Sequence, residues 1–331
     1  MPGIDVSLNR RQILLTRIES LYGQDALPQE TTSGQAIRII EPFQLDLGQE
    51  VLEQTGGLNT LGFSRPFGTV RPVGITFKTF LQGTTSAATY SATIKPPCAD
   101  LFRACGMLET FATSNTVGRP QYSYRPLSRV QSQASVTLVA NVDGYEHRLI
   151  GCMGNVNIVG VAATPFVAEW NFRGQLSTEA STTRGTPVGL PTATPARWVG
   201  SGSVFVQSLA AVIENLNANT GNRIFEQRAS NAQSGSGIIK CLITERQPGG
   251  SVDPEATNAS SFDWVNVWRS SSGAQLYAQA GVAQGECFAI VSSQAVFKTL
   301  ARQDKTGLAV FGIGWSAYEV AGDDEIEFRY F

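Results

Sequence analysis

The sequence predicts a mainly β chain built as two tandem β-sandwich or barrel domains, each with a short flanking helix and a long loop. Three observations predict it. Apolar and polar residues alternate with a period of two through much of the chain. One segment, SVTLVANVDGYEHRLIGCMGNV, carries an Asp143-Gly144 pair suited to a two-residue hairpin turn. A third sign is duplication. Residues 51–67, VLEQTGGLNTLGFSRPF, open with an apolar-apolar-Glu-Gln step and loosen into a glycine-dotted run, and residues 224–237, IFEQRASNAQSGSG, do the same.

The elements follow in order. Arg10 to Tyr22 places Ile13, Leu14, Ile18 and Leu21 at helical spacing, with Gly23 as a stop, and reads as a docking helix or an arm. Ile37-Arg-Ile-Ile and Phe43-Gln-Leu-Asp-Leu read as half-buried strands. Residues 56–68 read as a long loop. Val70 to Leu81 returns as a strand, with Pro72 marking an edge or bulge. After Pro96-Pro97, ADLFRACGMLE puts Leu101, Phe102, Cys105 and Leu108 on one face of a helix of two to three turns. In the hairpin, Val136, Leu138 and Ala140 form the core face, while Thr137, Val139 and Asn141 face the other way. Phe166 to Leu176 is another strand, and residues 177–203, rich in Ser, Thr, Pro and Gly, read as a linker. The order then repeats: a strand over Val204 to Leu216, a loose loop from Arg228 to Gly237, and a strand over Ile238 to Arg246. A helix begins at Phe262, and strands follow around Phe288 to Leu300, Leu308 to Tyr318 and Ile326 to Phe331. The expected organisation is an N-terminal arm over 1–35, a first domain over 36–180, a linker over 181–203 and a second domain over 204–331.

Composition excludes several classes. Over 331 residues, 42% hydrophobic against 16% charged suits a folded core, not a disordered chain. The net charge of -2 comes with scattered Lys and Arg, so no basic stripe offers itself to phosphates. Five cysteines lack CxxC spacing and read as buried reduced thiols, which implies synthesis in the cytoplasm. No apolar run is long enough to span a bilayer, and the first residues lack the pattern of a signal peptide.

Chemistry is sparse. The single histidine, His147, argues against triad and most acid–base schemes. Its place beside a hairpin turn suits a structural role. No GxSxG, HExxH, Walker or GxGxxG pattern occurs. Asp323, Asp324, Glu325 and Glu327 could suggest a cation, but the alternation Glu-Ile-Glu-Phe-Arg-Tyr reads as an edge strand with one wet face. Trp198, Trp264 and Trp268 could form a carbohydrate platform, although i, i+4 spacing of the last two favours a core role. The expectation is a non-enzyme without cofactor or metal.

Five stretches carry a resemblance: LLTRIESLYGQDALP, FQLDLGQEVLEQ, LFRACGMLETF, SVTLVANVDGYEHRLIGCMGNV, and Ile238 through Gly250 to SVDPEA. In this order and spacing the chain, over roughly residues 10–331, resembles the two-domain tail tube proteins of long-tailed bacteriophages and prophages. Trp264, Trp268 and the Arg269-Ser-Ser-Ser-Gly turn depart from that pattern. The resemblance implies rings that stack into a hollow conduit carrying DNA from capsid to host. Three chains would give a ring of six domains with pseudo-sixfold symmetry. It assigns ring stacking to Glu53, Gln54, Thr55, Gly56, Gly57, Leu58 and Asn59, and in the second half to Glu226, Gln227, Arg228, Asn231 and Gln233. Arg11, Ile13, Leu14, Ile18 and Leu21 become an inter-subunit arm, and Thr137 and Asn141 candidate lumen residues. Implied partners are the chain itself, a tape measure, terminator and distal tail protein, and double-stranded DNA that passes without specific binding. The implied location is the virion tail, with no membrane. Alternatives are a single-ring terminator or connector and a carbohydrate-binding module.

Overall fold

In the computed structural model, Asp143 and Gly144 take φ of 47° and 93° and turn the chain between two paired strands. The structure describes residues 10–53, 66–83, 90–115, 118–182, 184–198, 203–230 and 237–331. The first half contains β1 (Gln12–Ile18), β2 (Ala36–Ile37), β3 (Gln44–Leu47), β4 (Val51–Leu52), β5 (Phe67–Gly68) and β6 (Val73–Phe80). Helix α1 (Ala99–Ala104) follows, then β7 (Met107–Ala112), β8 (Gln121–Pro126), β9 (Val136–Val142), β10 (Tyr145–Val161) and β11 (Val167–Ser181). The second half contains β12 (Ser203–Val206), β13 (Leu209–Ala210), β14 (Ile213–Asn219), β15 (Asn222–Arg228), β16 (Ile238–Arg246) and β17 (Gly249–Pro254). Helix α2 (Trp264–Ser270) precedes β18 (Ala274–Ala280), β19 (Phe288–Lys305), β20 (Leu308–Ala317) and β21 (Glu327–Tyr330). The chain is mainly β, and its strand pairings are antiparallel.

One pairing path occurs twice. In the first half it runs β3–β6–β11–β10–β9–β1. In the second it runs β14–β17–β20–β19–β18–β12. Chain order agrees as well, with α1 between β6 and β9 and α2 between β17 and β18. Placing β3 on β14 aligns FQLDLGQEVLEQ, from Phe43, with LNANTGNRIFEQ, from Leu216, without a gap. Leu138-Val-Ala-Asn likewise falls on Leu276-Tyr-Ala-Gln. Two junctions join the halves. The distal end of β10, Asn157–Val161, pairs with Asn215–Asn219 of β14. β21 lies between β19 and β8, with Phe328 opposite both Ile290 and Tyr124.

A single main core runs across these junctions. Phe102 of α1 packs against Tyr124 at 4.9 Å, Trp170 at 5.0 Å and Phe328 at 5.3 Å between ring centroids. Phe288 stands 4.9 Å from Tyr330 and 5.8 Å from Phe166, so aromatic rings of both halves interlock. Trp170, fully buried, satisfies its indole by donating to Thr79 Oγ1 at 2.9 Å. All five cysteines are buried free thiols.

Several sequence expectations are corrected. The segment expected as a helix from Arg10 is strand β1, paired along its length with β9. Leu14 enters the main core and Leu15 a smaller cluster with Val139, so both faces are covered. A strand buried on both faces gives an apolar run that periodicity cannot tell from a helix. α1 is only six residues, and Leu108 leaves it for β7, where it is exposed. Gly106, at φ 72°, ends the helical geometry. The expected strand over Val204 to Leu216 is three, because Gln207 at φ 55° turns β12 into β13. β17 and β18 were not predicted. β21 is not an edge strand with a wet face: the β7–β8 hairpin covers it, and Glu327 and Phe328 are buried. Within the expected linker, β11 continues to Ser181, and Arg184 and Trp198 are held against the fold.

Candidate functional site

The two apolar-apolar-Glu-Gln steps form neighbouring hairpins. Val51 and Leu52 pair with Gly68 and Phe67, while β15 pairs with β16 from Asn222↔Arg246 to Arg228↔Ile238. The second hairpin is the longer. Its root is fixed by Asn222, whose side-chain amide donates to the carbonyls of Cys105 at 2.7 Å and Gly154 at 3.0 Å. Ile238, Cys241 and Ile243 pack with Met153, Tyr22 and Val70 in a cluster of their own.

Tyr22 pins that cluster. Its hydroxyl donates to the Gly151 carbonyl at 3.0 Å and accepts from the Cys241 N–H at 2.5 Å. Burial, then the neighbouring Cys241, pushes this phenol far above its ordinary range, so it stays protonated and keeps its donor. The Cys241 thiol is pushed up to about 11 by burial, so it remains a thiol at neutral pH.

Across the hairpins, the Arg228 guanidinium reaches Glu50 through Nη1–Oε2 at 2.9 Å and Nη2–Oε1 at 2.5 Å. This forked pair ties the start of one hairpin to the end of the other's first strand. Val51, Leu52, Phe67, Phe225 and Ile239 are exposed large apolar side chains on these hairpins. Leu52 and Phe225 occupy the same place in the aligned segments. Exposed apolar residues on two neighbouring hairpins suit contact with another protein surface.

The sequence-assigned residues divide into three groups. Among the stacking residues, Glu53 is exposed just beyond β4. Glu226, Gln227 and Arg228 lie on strand β15, not in a loop, because the second hairpin stays paired further out. Gln54, Thr55, Gly56, Gly57, Leu58, Asn59, Asn231 and Gln233 lie outside the described residues. The proposed arm is strand β1 and its flanks: Ile13, Leu14 and Ile18 pair with β9, Arg11 pairs with Asp143 at 2.8 Å, and Leu21 is exposed. The lumen assignment of Thr137 and Asn141 does not fit, since both are buried. Thr137 Oγ1 donates to Glu19 and accepts from the Ala26 N–H, and Asn141 donates to the Thr182 carbonyl. Residues before β3 and after β11 fold over that face of β9, which two-residue alternation cannot reveal.

Most of the remaining candidates are held in contacts within the fold. His147 Nδ1 lies 3.0 Å from Glu179 Oε1 on the adjacent strand, with its ring edge-on to Tyr145. Asp323 and Glu325 both meet Arg246, and Glu327 meets Arg125 and Arg329. Among the described residues no group of three or more His, Cys, Asp or Glu is placed to hold a metal ion. Trp198 and Trp264 are buried and cannot serve as stacking platforms. No family model and no curated protein matches the chain.

Proposed function

We propose that this chain is a self-assembling structural β protein whose two halves act as sibling domains of one ring. More particularly, we read it as a tail tube subunit of a long-tailed bacteriophage or prophage. Three chains would close a pseudo-sixfold ring, and rings would stack into a conduit for DNA in the virion tail. The observation that carries the reading is the double occurrence of one pairing path, each copy bearing after its first strand a hairpin whose strands expose large apolar side chains. A ring of six near-equivalent units built from three chains uses each hairpin once per unit, and a contact whose rotation closes gives a ring instead of a fibre. The low net charge suits a wall past which DNA slides, because clustered Lys and Arg would hold phosphates through counterion release.

Electron microscopy of the purified chain tests this. Tubes built of threefold rings support the reading in full. Single rings that never stack make the chain a terminator or connector, and a permanent monomer removes the proposal. Burial of Trp198 and Trp264 weighs against the carbohydrate-binding alternative.

A further inference from the structure

The junction inside the chain has two counterparts at its outer edges that no described strand pairs. β10 is paired by β11 on one side, and on the other by β9 near its start and β14 near its end. β19, its counterpart, is paired by β20 over Ala295–Lys305 and by β18 over its first part. Ala295 meets Ala274 of β18 and Ala317 of β20, so those two strands flank opposite sides. Beyond Ala295 no described strand covers the β18 side. Ala301, Arg302, Gln303 and Asp304 are exposed, whereas the matching Ile158 and Gly160 of β10 are buried. Among the described residues β3, the counterpart of β14, pairs only with β6 and is largely exposed, whereas Leu216 and Ala218 of β14 are buried.

We infer that β3 of one copy of this chain adds antiparallel to the end of β19 of the next copy, repeating the β10–β14 junction between molecules. This rests on the ring reading above. Carrying the register of Asn157↔Asn219 through Val161↔Asn215 across the repeat gives the partners. Ala301 meets Asp46, Arg302 meets Leu45, Gln303 meets Gln44, Asp304 meets Phe43 and Lys305 meets Pro42. No directly opposed pair carries like charges.

Backbone polarity agrees at both edges. On β3 the Gly48 and Glu50 N–H groups donate to the carbonyls of Pro72 and Val70. Even-numbered residues here therefore face β6, and Phe43 and Leu45 turn their N–H outward. Phe43 shows that direction by donating to Gln12 Oε1 at 2.8 Å. In the template, Thr220 donates to the Val156 carbonyl, which makes Ala218↔Ile158 a hydrogen-bonded pair and Asn217↔Val159 a non-hydrogen-bonded one. Leu45 with Arg302 inherits the first type, and Gln44 with Gln303 the second. On β19, a two-residue turn at Thr306-Gly307 makes Lys305 and Leu308 a closing hydrogen-bonded pair. Arg302 and Asp304 are therefore left with outward N–H groups, as β3 requires. An edge of this kind is a template for strand addition.

The test is a disulfide trap combined with a backbone probe. Non-hydrogen-bonded partners lie about 4.5 Å apart at Cα, within the range a disulfide spans. A chain carrying Gln44→Cys and Gln303→Cys is expected to cross-link on mild oxidation into covalent species ending at a closed ring, and neither single variant should. The native cysteines are buried and contribute little background. Arg302→Pro removes one outward N–H and no internal ladder bond, so it should fold as a monomer with total loss of assembly. Arg302→Ala should assemble normally. Particles that form but do not cross-link, or an Arg302→Pro chain that assembles like wild type, overturn the edge pairing and leave the tube reading standing. Cross-linked single rings that never stack keep the pairing and remove the tube. A wild-type chain that stays monomeric, with no cross-link in the double variant, removes both.

Discussion

Arg228 and Glu50 face each other across the two hairpins as a forked ion pair, although they lie in different halves of the chain. Both side chains are about half exposed, so the pair adds little to folding stability and acts by setting one hairpin against the other. Reversing one charge, Glu50→Arg, should leave the thermal midpoint nearly unchanged and reduce tube length, read by electron microscopy. Swapping both, Glu50→Arg with Arg228→Glu, should restore length. If the single reversal assembles as well as wild type, the hairpins are not held in place by this pair.

Leu52 and Phe225 make a second pair of equivalents, both exposed at the same position of their hairpins. Aspartate at both sites should change unfolding free energy by no more than about 0.5 kcal/mol, because neither side chain belongs to a core. Stacking should fail, since charge would face an apolar surface in the next ring. Sedimentation is expected to show folded rings without long particles. Normal tubes from the double variant would remove the stacking role.

The sequence made legible those elements whose signals are local. Asp143-Gly144 marks its own turn through positive φ, and Val136, Leu138 and Ala140 announce a core face by alternation, as the structure bears out. Gly249-Gly-Ser-Val-Asp-Pro gave no sign of a strand, because β17 lies between β14 and β20 and leans on their side chains and backbone. A Cβ at Gly250 would lie 1.9 Å from the Asn217 carbonyl oxygen, so close strand approach, not propensity, selects glycine there. β1 misled for a related reason, its Leu14 and Leu15 being buried on opposite faces. Of the site, the Glu-Gln steps were legible as a repeat. The Arg228–Glu50 contact was not, because nothing in one dimension brings the hairpins side by side. The gapless match of Phe43–Gln54 with Leu216–Gln227 could have been found by comparing the halves, and it marks β3 and β14 as counterparts.

Acid should loosen the join between β21 and the first half. Burial raises the Glu327 carboxyl, but hydrogen bonds and charge from Arg329 and Arg125 outweigh it and hold the group below its ordinary value. Asp323 is likewise raised by burial and held low by Ser128 and Arg246. A depressed carboxylate contributes stability that is complete above its unfolded value and lost as the pH falls through the folded one. Stability should therefore be flat near neutral pH and decline below about pH 4.5, within and below the ordinary carboxylate range. Glu327→Gln should flatten part of that decline while lowering stability at pH 7 by about 1–3 kcal/mol, since Arg329 then loses its charged partner. Urea unfolding at pH 3 to 7 measures both effects, and an unchanged acid slope in the variant would show that Glu327 does not carry it.

Glu19 offers the sharpest test of how the N-terminal strand is held. Its carboxylate is buried and accepts four hydrogen bonds. Oε2 takes the Gly23 N–H at 2.7 Å and the Ser135 hydroxyl at 2.6 Å, while Oε1 takes the Thr137 hydroxyl at 2.9 Å and the Gly151 N–H at 2.7 Å. One side chain thus closes the end of β1 onto both strands of the β9–β10 hairpin. Glu19→Gln keeps the volume but turns one oxygen into an NH2 donor. Whichever way the amide points, that NH2 faces a backbone N–H, of Gly23 or of Gly151, and leaves it without its acceptor. An unsatisfied buried donor costs about 1–3 kcal/mol, and the lost charge weakens the two bonds that remain. The variant should therefore unfold at lower urea, by about 2–4 kcal/mol in all, with an unchanged m-value. Amide exchange should rise at Gly23 or Gly151 and along β1, where local opening becomes easier. A variant within about 0.5 kcal/mol of wild type would mean that Glu19 does not anchor β1, and that the ladder to β9, the burial of Leu14 and Leu15 and the Arg11–Asp143 pair hold it without Glu19.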